Sequence, residues 1–250
     1  ARADVTGTPA RPRASFTATI PALSAAPLAE AGVDAVAVAA DGRYENERIR
    51  LERASVTGAG LEVSADGTIP LSGRGLDVRV TAEAPLSLAQ RFTAERGATI
   101  DGRAAANVAI RGSLAAPRVT GEASAADVRF VDPESGLVLS EGSARATFDG
   151  ERVTLERFSG ALGDGTISAS GTVALDPRAG FPADLSIALR NARYTSGDLV
   201  TLTASGDLSL TGPLLTNPFL AGEVRIERAE INVASRLPGG PTLIEVAQIG

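Results

Sequence analysis

The amino-acid sequence predicts an all-β protein, with antiparallel or mixed strands arranged in one elongated sheet of repeated units. Three observations predict it. Apolar residues recur at every second position, glycine and aspartate punctuate the runs, and one block of 25 residues occurs twice. Alternation with period two gives a strand one aliphatic face and one polar face.

Taken in chain order, Val5-Thr6-Gly7-Thr8-Pro9 opens the sequence as a shortened copy of a block met again later. Leu61, Val63, Ala65, Gly67, Ile69 and Leu71 form the first long alternating run. The segment from Pro85 to Phe92 differs: proline stands near its start and Leu88 and Phe92 are spaced i,i+4, which predicts a short helix or helical turn. Ala144, Ala146 and Phe148 lead to Asp149-Gly150 and on to Val153 and Leu155, a hairpin signature. Ile167, Ala169, Gly171, Val173 and Leu175 alternate next, followed by Leu185, Ile187 and Leu189. In the last long run Val200, Leu202, Ala204, Gly206, Leu208 and Leu210 share one parity, and Thr201, Thr203, Ser205, Asp207, Ser209 and Thr211 hold the other. Further turn signals are Asp41-Gly42, Asp66-Gly67, Asp101-Gly102, Asp176-Pro177 and Gly206-Asp207, although Gly67 and Gly206 sit in phase inside alternating runs.

Glu47 to Leu71 aligns without gaps on Glu151 to Leu175 with 11 identities, where chance would give roughly two. Gly112 to Gly121 similarly resembles Gly212 to Gly222. Beyond each final glycine the parity slips at the same place: Ala123 and Ala125 give way to Val128 and Phe130, as Val224 and Ile226 give way to Ala229 and Ile231. A shared slip predicts a shared bulge. Two units, 1–116 and 117–250, are therefore expected to share one continuous sheet.

Composition removes much chemistry. The chain has no His, Cys, Met or Trp, and its 24 basic residues are all Arg. Histidine- or cysteine-based nucleophiles, thiolate and imidazole zinc sites and disulfides are excluded. A net charge of −6 with Arg scattered among Asp and Glu argues against nucleic acid. Irregular spacing makes the Asp-Gly pairs and Gly163-Asp164-Gly165 turns rather than calcium motifs. Carboxylates suffice for glycoside hydrolysis, but only two Tyr and no Trp are present to platform a sugar, and no enzyme activity is expected. Glu-Arg dipeptides at 47, 52, 95, 151, 156 and 227 are expected on solvated faces as cross-strand pairs. Without Met, the sequence is expected to be an internal piece of a longer chain. No uncharged stretch reaches the roughly 20 apolar residues of a spanning helix.

The order of certain blocks resembles the C-terminal region of the TamB family, which belongs with the AsmA-like bridge proteins of bacterial envelopes. The residues that carry the resemblance are Ala84-Pro85-Leu86-Ser87-Leu88, Gly112 to Gly121, Gly171 with Gly180 to Leu185, Leu210 to Leu214, and Gly222 through Arg228 to Val233. It spans about Asp41 to Pro238 and departs at Ala234, where the family's proline is expected. The resemblance implies a curved, taco-like β-sheet trough in the periplasm of a Gram-negative bacterium, with the parent protein anchored in the inner membrane. It also implies a partner, the outer-membrane barrel protein TamA, and two activities: phospholipid transfer along the trough and assembly of outer-membrane barrels by β-augmentation. A structural β-solenoid or adhesin with a filled core is the more distant alternative. If the trough carries acyl chains, its lining is expected to be Ile167, Val173, Leu185, Ile187, Leu189, Val200, Leu202, Leu208, Leu210, Val224 and Ile226. No catalytic residue, metal or cofactor is expected.

Overall fold

A computed structural model describes residues 2–8, 11–24, 33, 35–92, 97–196 and 200–231. The first six strands are β1 (Arg2–Thr8), β2 (Arg11–Leu23), β3 (Val36–Glu45), β4 (Arg48–Gly58), β5 (Leu61–Pro70) and β6 (Arg74–Pro85). A 3-10 helix, Leu86–Phe92, precedes β7 (Thr99–Ser113) and β8 (Ala116–Asp132). The remainder are β9 (Leu137–Gly150), β10 (Arg152–Leu162), β11 (Gly165–Ala174), β12 (Pro182–Ser196), β13 (Val200–Pro213) and β14 (Phe219–Ile231). All fourteen form one antiparallel sheet in chain order, so each strand pairs with its sequence neighbours. Short hairpins suffice for such an order, since antiparallel neighbours need no crossover. The β7–β8 hairpin, at 114–115, carries the sheet past position 116 without a break.

The repeat is visible in the backbone. β4 and β5 become β10 and β11 when 104 is added to every boundary. The register shift between Leu51 and Ala54 recurs between Leu155 and Phe158, and the Leu71 N–H donates to the Glu47 carbonyl as Leu175 does to Glu151, both at 2.8 Å. Pairing of Gly7 with Pro12 matches that of Gly112 with Pro117, which makes β1 and β2 counterparts of β7 and β8. One repeat is thus six strands.

The shared slip of parity is a bulge. Register shifts separate Ile20 from Leu23 in β2 and Ala125 from Val128 in β8, and the β14 bulge falls between Ile226 and Arg228. Asp127, Glu141 and Asn191 take left-handed φ of 55°, 53° and 49° at bulges of β8, β9 and β12. Bulges bend strands. Here residues of β9 and β12, three places apart, come within 8 Å between Cα atoms, whereas a flat sheet would separate them by about 14 Å. The Asn191 N–H freed by its bulge donates to Ser205 Oγ at 2.9 Å, and Ser205 donates to Glu227 at 2.6 Å, so the bend leaves that amide satisfied.

Some turn signals prove to be strand interiors. Asp149-Gly150 does head a hairpin, with Asp149 Oδ1 accepting the N–H groups of Glu151 and Arg152 at 3.2 and 3.0 Å. Gly163-Asp164 turns between β10 and β11, and Asp176-Pro177 begins the turn before β12. Asp41-Gly42, Asp66-Gly67, Asp101-Gly102 and Gly206-Asp207 lie within strands. At these four the glycine serves close approach of the next strand, not chain reversal. The helical segment is 3-10, in which i and i+3 eclipse rather than i and i+4, and the side chain of Phe92 lies outside the described residues. Its Gln90 side chain extends the sheet instead, donating to the Ala98 carbonyl at 2.7 Å and accepting from the Ile100 N–H at 3.1 Å.

Candidate functional site

Directly paired residues of antiparallel strands share a face, so the register assigns every side chain to one of two surfaces. One row on the aliphatic face crosses thirteen strands. It runs Ile20, Val38, Val56, Val63, Ala82, Ala106, Ala123, Ala146, Leu155, Gly171, Leu185, Leu210, Leu220 and contains no polar residue. At one strand spacing per step it is about 58 Å long.

All eleven residues expected from alternation fall on this face. Leu185 pairs with Leu210 in the long row; Ile187 pairs with Leu208, and Ile167 with Leu189. Leu189 meets Gly206, which meets Val224, and Ala204 meets Ile226. Val173 pairs with Val153, Leu202 with Tyr194 and Ala229, and Val200 with Ile231. None is buried. Nine are half-buried, while Val224 and Ile226 on the edge strand are 53% and 58% exposed.

Glycines set the depth of the face. Gly171 stands between Leu155 and Leu185, and its counterpart Gly67 between Leu51 and Val78, with φ of 145° and 140°. A Cβ on either would collide with the neighbouring carbonyl, of Asp184 or Asp77. These positions therefore need glycine for both conformation and space.

The face is concave where the bulges lie. Val128, Leu139, Leu162 and Ala192, at or just past the bend, are the buried cluster, with Leu86, Phe130, Phe158, Ile167 and Leu189 packed against it. In a single-layer sheet a side chain is enclosed only on the inside of a bend, so the aliphatic side is the inside. Sequence reading missed this corner, although the parity slip after Gly121 was its signal. The first-repeat half of the lining was also missed, including Val80 and Val108, which pair across β6 and β7.

Away from the corner, the described residues leave the trough unfilled. The described residues include only ten buried hydrophobic residues and no buried polar one. The accessible surface is 17071 Å², against roughly 10,000 Å² for a compact monomer of this size. A packed sandwich core is thus absent among the described residues.

The opposite face is polar. Arg13–Glu45, Arg43–Glu52, Arg79–Asp66 and Arg190–Asp207 pair across strands at 2.7 to 2.9 Å, all largely exposed. The Asp66 hydrogen bond, aided by its charge, raises the Arg79 guanidinium pKa. Of the Glu-Arg dipeptides, Glu52 pairs with Arg43 across strands as expected, whereas Glu151, in the bend between β9 and β10, pairs with Arg118 and Glu47, in the turn between β3 and β4, accepts from Ser72; the one at 95 lies outside the described residues, as does Ala234. No group of three metal-ligating side chains occurs among the described residues, and no helix there is long and apolar enough to cross a membrane.

The family model of the TamB C-terminal domain matches residues 156–244, from β10 onward. These residues are similar to the TamB C-terminal domain. The TamB family implies an envelope location and suggests an association with outer-membrane machinery generally. No curated protein and no solved structure gives a significant match. The open sheet with one aliphatic face is the fold that the sequence resemblance implied, and the matched residues include all eleven expected lining residues.

Proposed function

We propose that this chain is a periplasmic bridge segment of a TamB-like protein, which holds phospholipid acyl chains in its trough during passage between the inner and outer membranes. The thirteen-strand row without a polar residue carries this reading. An acyl chain makes no directional contacts and gains roughly 0.8 kcal/mol per buried methylene, so a continuous aliphatic floor both holds it and lets it slide. Solvent exposure of that floor is unfavourable and invites an apolar occupant. Headgroups would remain at the open mouth in water. The parent protein would supply the inner-membrane anchor. Native mass spectrometry with lipid extraction tests the reading: the purified chain should carry phospholipid, and a chain free of lipid after isolation from membranes without detergent would overturn it.

The edge of β14 favours a second reading. Among the described residues nothing pairs with its outer side, and Phe219, Leu220, Val224, Ile226 and Ile231 are more than half exposed. Such an edge suits β-augmentation by a strand of TamA or of a nascent barrel.

A further inference from the structure

The polar face carries a charge pattern that the fold does not require. Across β3 to β7 the register sets Arg43, Arg50, Thr68, Asp77 and Arg111 side by side. The equivalent ladder of the second repeat, across β9 to β13, is Thr147, Thr154, Thr172, Asp184 and Thr211. Threonine and aspartate at the third and fourth places are common to both, and only the three arginines differ. The second repeat thus shows that the same backbone is built without them.

Their placement is electrostatically costly. Arg43 and Arg50 are direct cross-strand partners, and like charges in that relation repel. Arg43 reaches Glu52 at 2.9 Å and Arg111 reaches Asp77 at 3.2 Å, but no carboxylate lies within ion-pair distance of Arg50 among the described residues. These side chains, with Arg79, Glu52 and Asp66, line a groove of about 690 Å³, leaving one positive charge in excess within a chain of net charge −6. Exposed ion pairs of this kind are weak and readily exchanged. Guanidinium groups bind phosphate oxygens with paired, charge-assisted hydrogen bonds.

We infer that the Arg43–Arg50–Arg111 groove binds a phosphate-bearing anion on the face opposite the trough. An oxyanion with two charges would join Arg50 to its neighbour and relieve the repulsion between them. The site is independent of acyl-chain binding, being built from the other parity of the same strands.

The test is calorimetric titration of the full chain with pyrophosphate at low salt, since screening weakens exposed charge contacts. Three proteins are compared: the native chain, the triple variant Arg43→Thr, Arg50→Thr, Arg111→Thr copied from the second repeat, and a control with Arg145→Thr, Arg178→Thr and Arg225→Thr outside the groove. Native chain and control should bind alike, and the groove variant at least tenfold more weakly, with unchanged circular dichroism. Absence of binding by the native chain, or equal losses in both variants, would overturn the site. Co-sedimentation with phosphatidylglycerol vesicles, against phosphatidylcholine vesicles, distinguishes the sources. Groove-dependent sedimentation with the anionic vesicles identifies a lipid headgroup, and pyrophosphate binding without it identifies a soluble phosphate group.

Discussion

Gly171 lies so close to Leu185 that a Cβ on the glycine would stand 2.8 Å from the leucine Cα, nearer than nonbonded carbons approach. Its φ of 145° adds strain for any other residue. Gly171→Ala should therefore cost about 1–3 kcal/mol of stability, read as a lower midpoint in denaturant. Ser170→Ala, on the polar face beside it, should change the midpoint little. Equal midpoints for the two variants would remove the close-approach argument.

Charge in the trough should stop occupancy. Burying an unpaired carboxylate against an acyl chain costs several kcal/mol, so Leu202→Asp or Leu210→Asp should abolish lipid co-purification, while Thr201→Asp and Ser209→Asp should leave it intact. A photo-crosslinker at Leu202 or Leu210 should capture phospholipid and one at Thr201 or Ser209 should not. Labelling from both faces alike would count against the trough.

No single carboxylate or hydroxyl should prove indispensable. An enzyme concentrates its effect in a few positioned groups, whereas a trough spreads binding over many weak contacts. Replacing any one Asp or Glu by its amide, or any Ser by Ala, should leave function in cells reduced by less than about tenfold. Complete loss from one such change with the fold preserved would return the chain to the enzymes.

Scattering in solution should show an elongated particle. A compact domain of 250 residues has a radius of gyration of roughly 18 Å, while fourteen strands side by side measure about 62 Å along the sheet. The measured radius should exceed the compact value clearly, and a value near it would mean that the sheet closes on itself.

Much of this was legible in the chain because a strand's alternation survives without knowledge of its neighbours. Leu185, Ile187 and Leu189 declare one face by parity, and the slip between Ala125 and Val128 declares a bulge. What alternation cannot give is the direction of the bend. That depends on Asp127, Glu141 and Asn191 adopting left-handed backbone, and none is a glycine that would announce it. Nor does it give register, so the adjacency of Arg43 and Arg50 stayed hidden although both residues are plain in the sequence. The in-phase Gly67 and Gly206 misled as turn signals for the same reason: close approach is a property of two strands, and composition records only one.

The six-strand repeat makes the molecule a ruler with fixed graduations. Duplicating one unit lengthens it by about 29 Å and presents at the new end an edge of the same kind as the old. The reach of the sheet can then be set by copying a genetic segment, with every neighbour-to-neighbour contact inherited already solved.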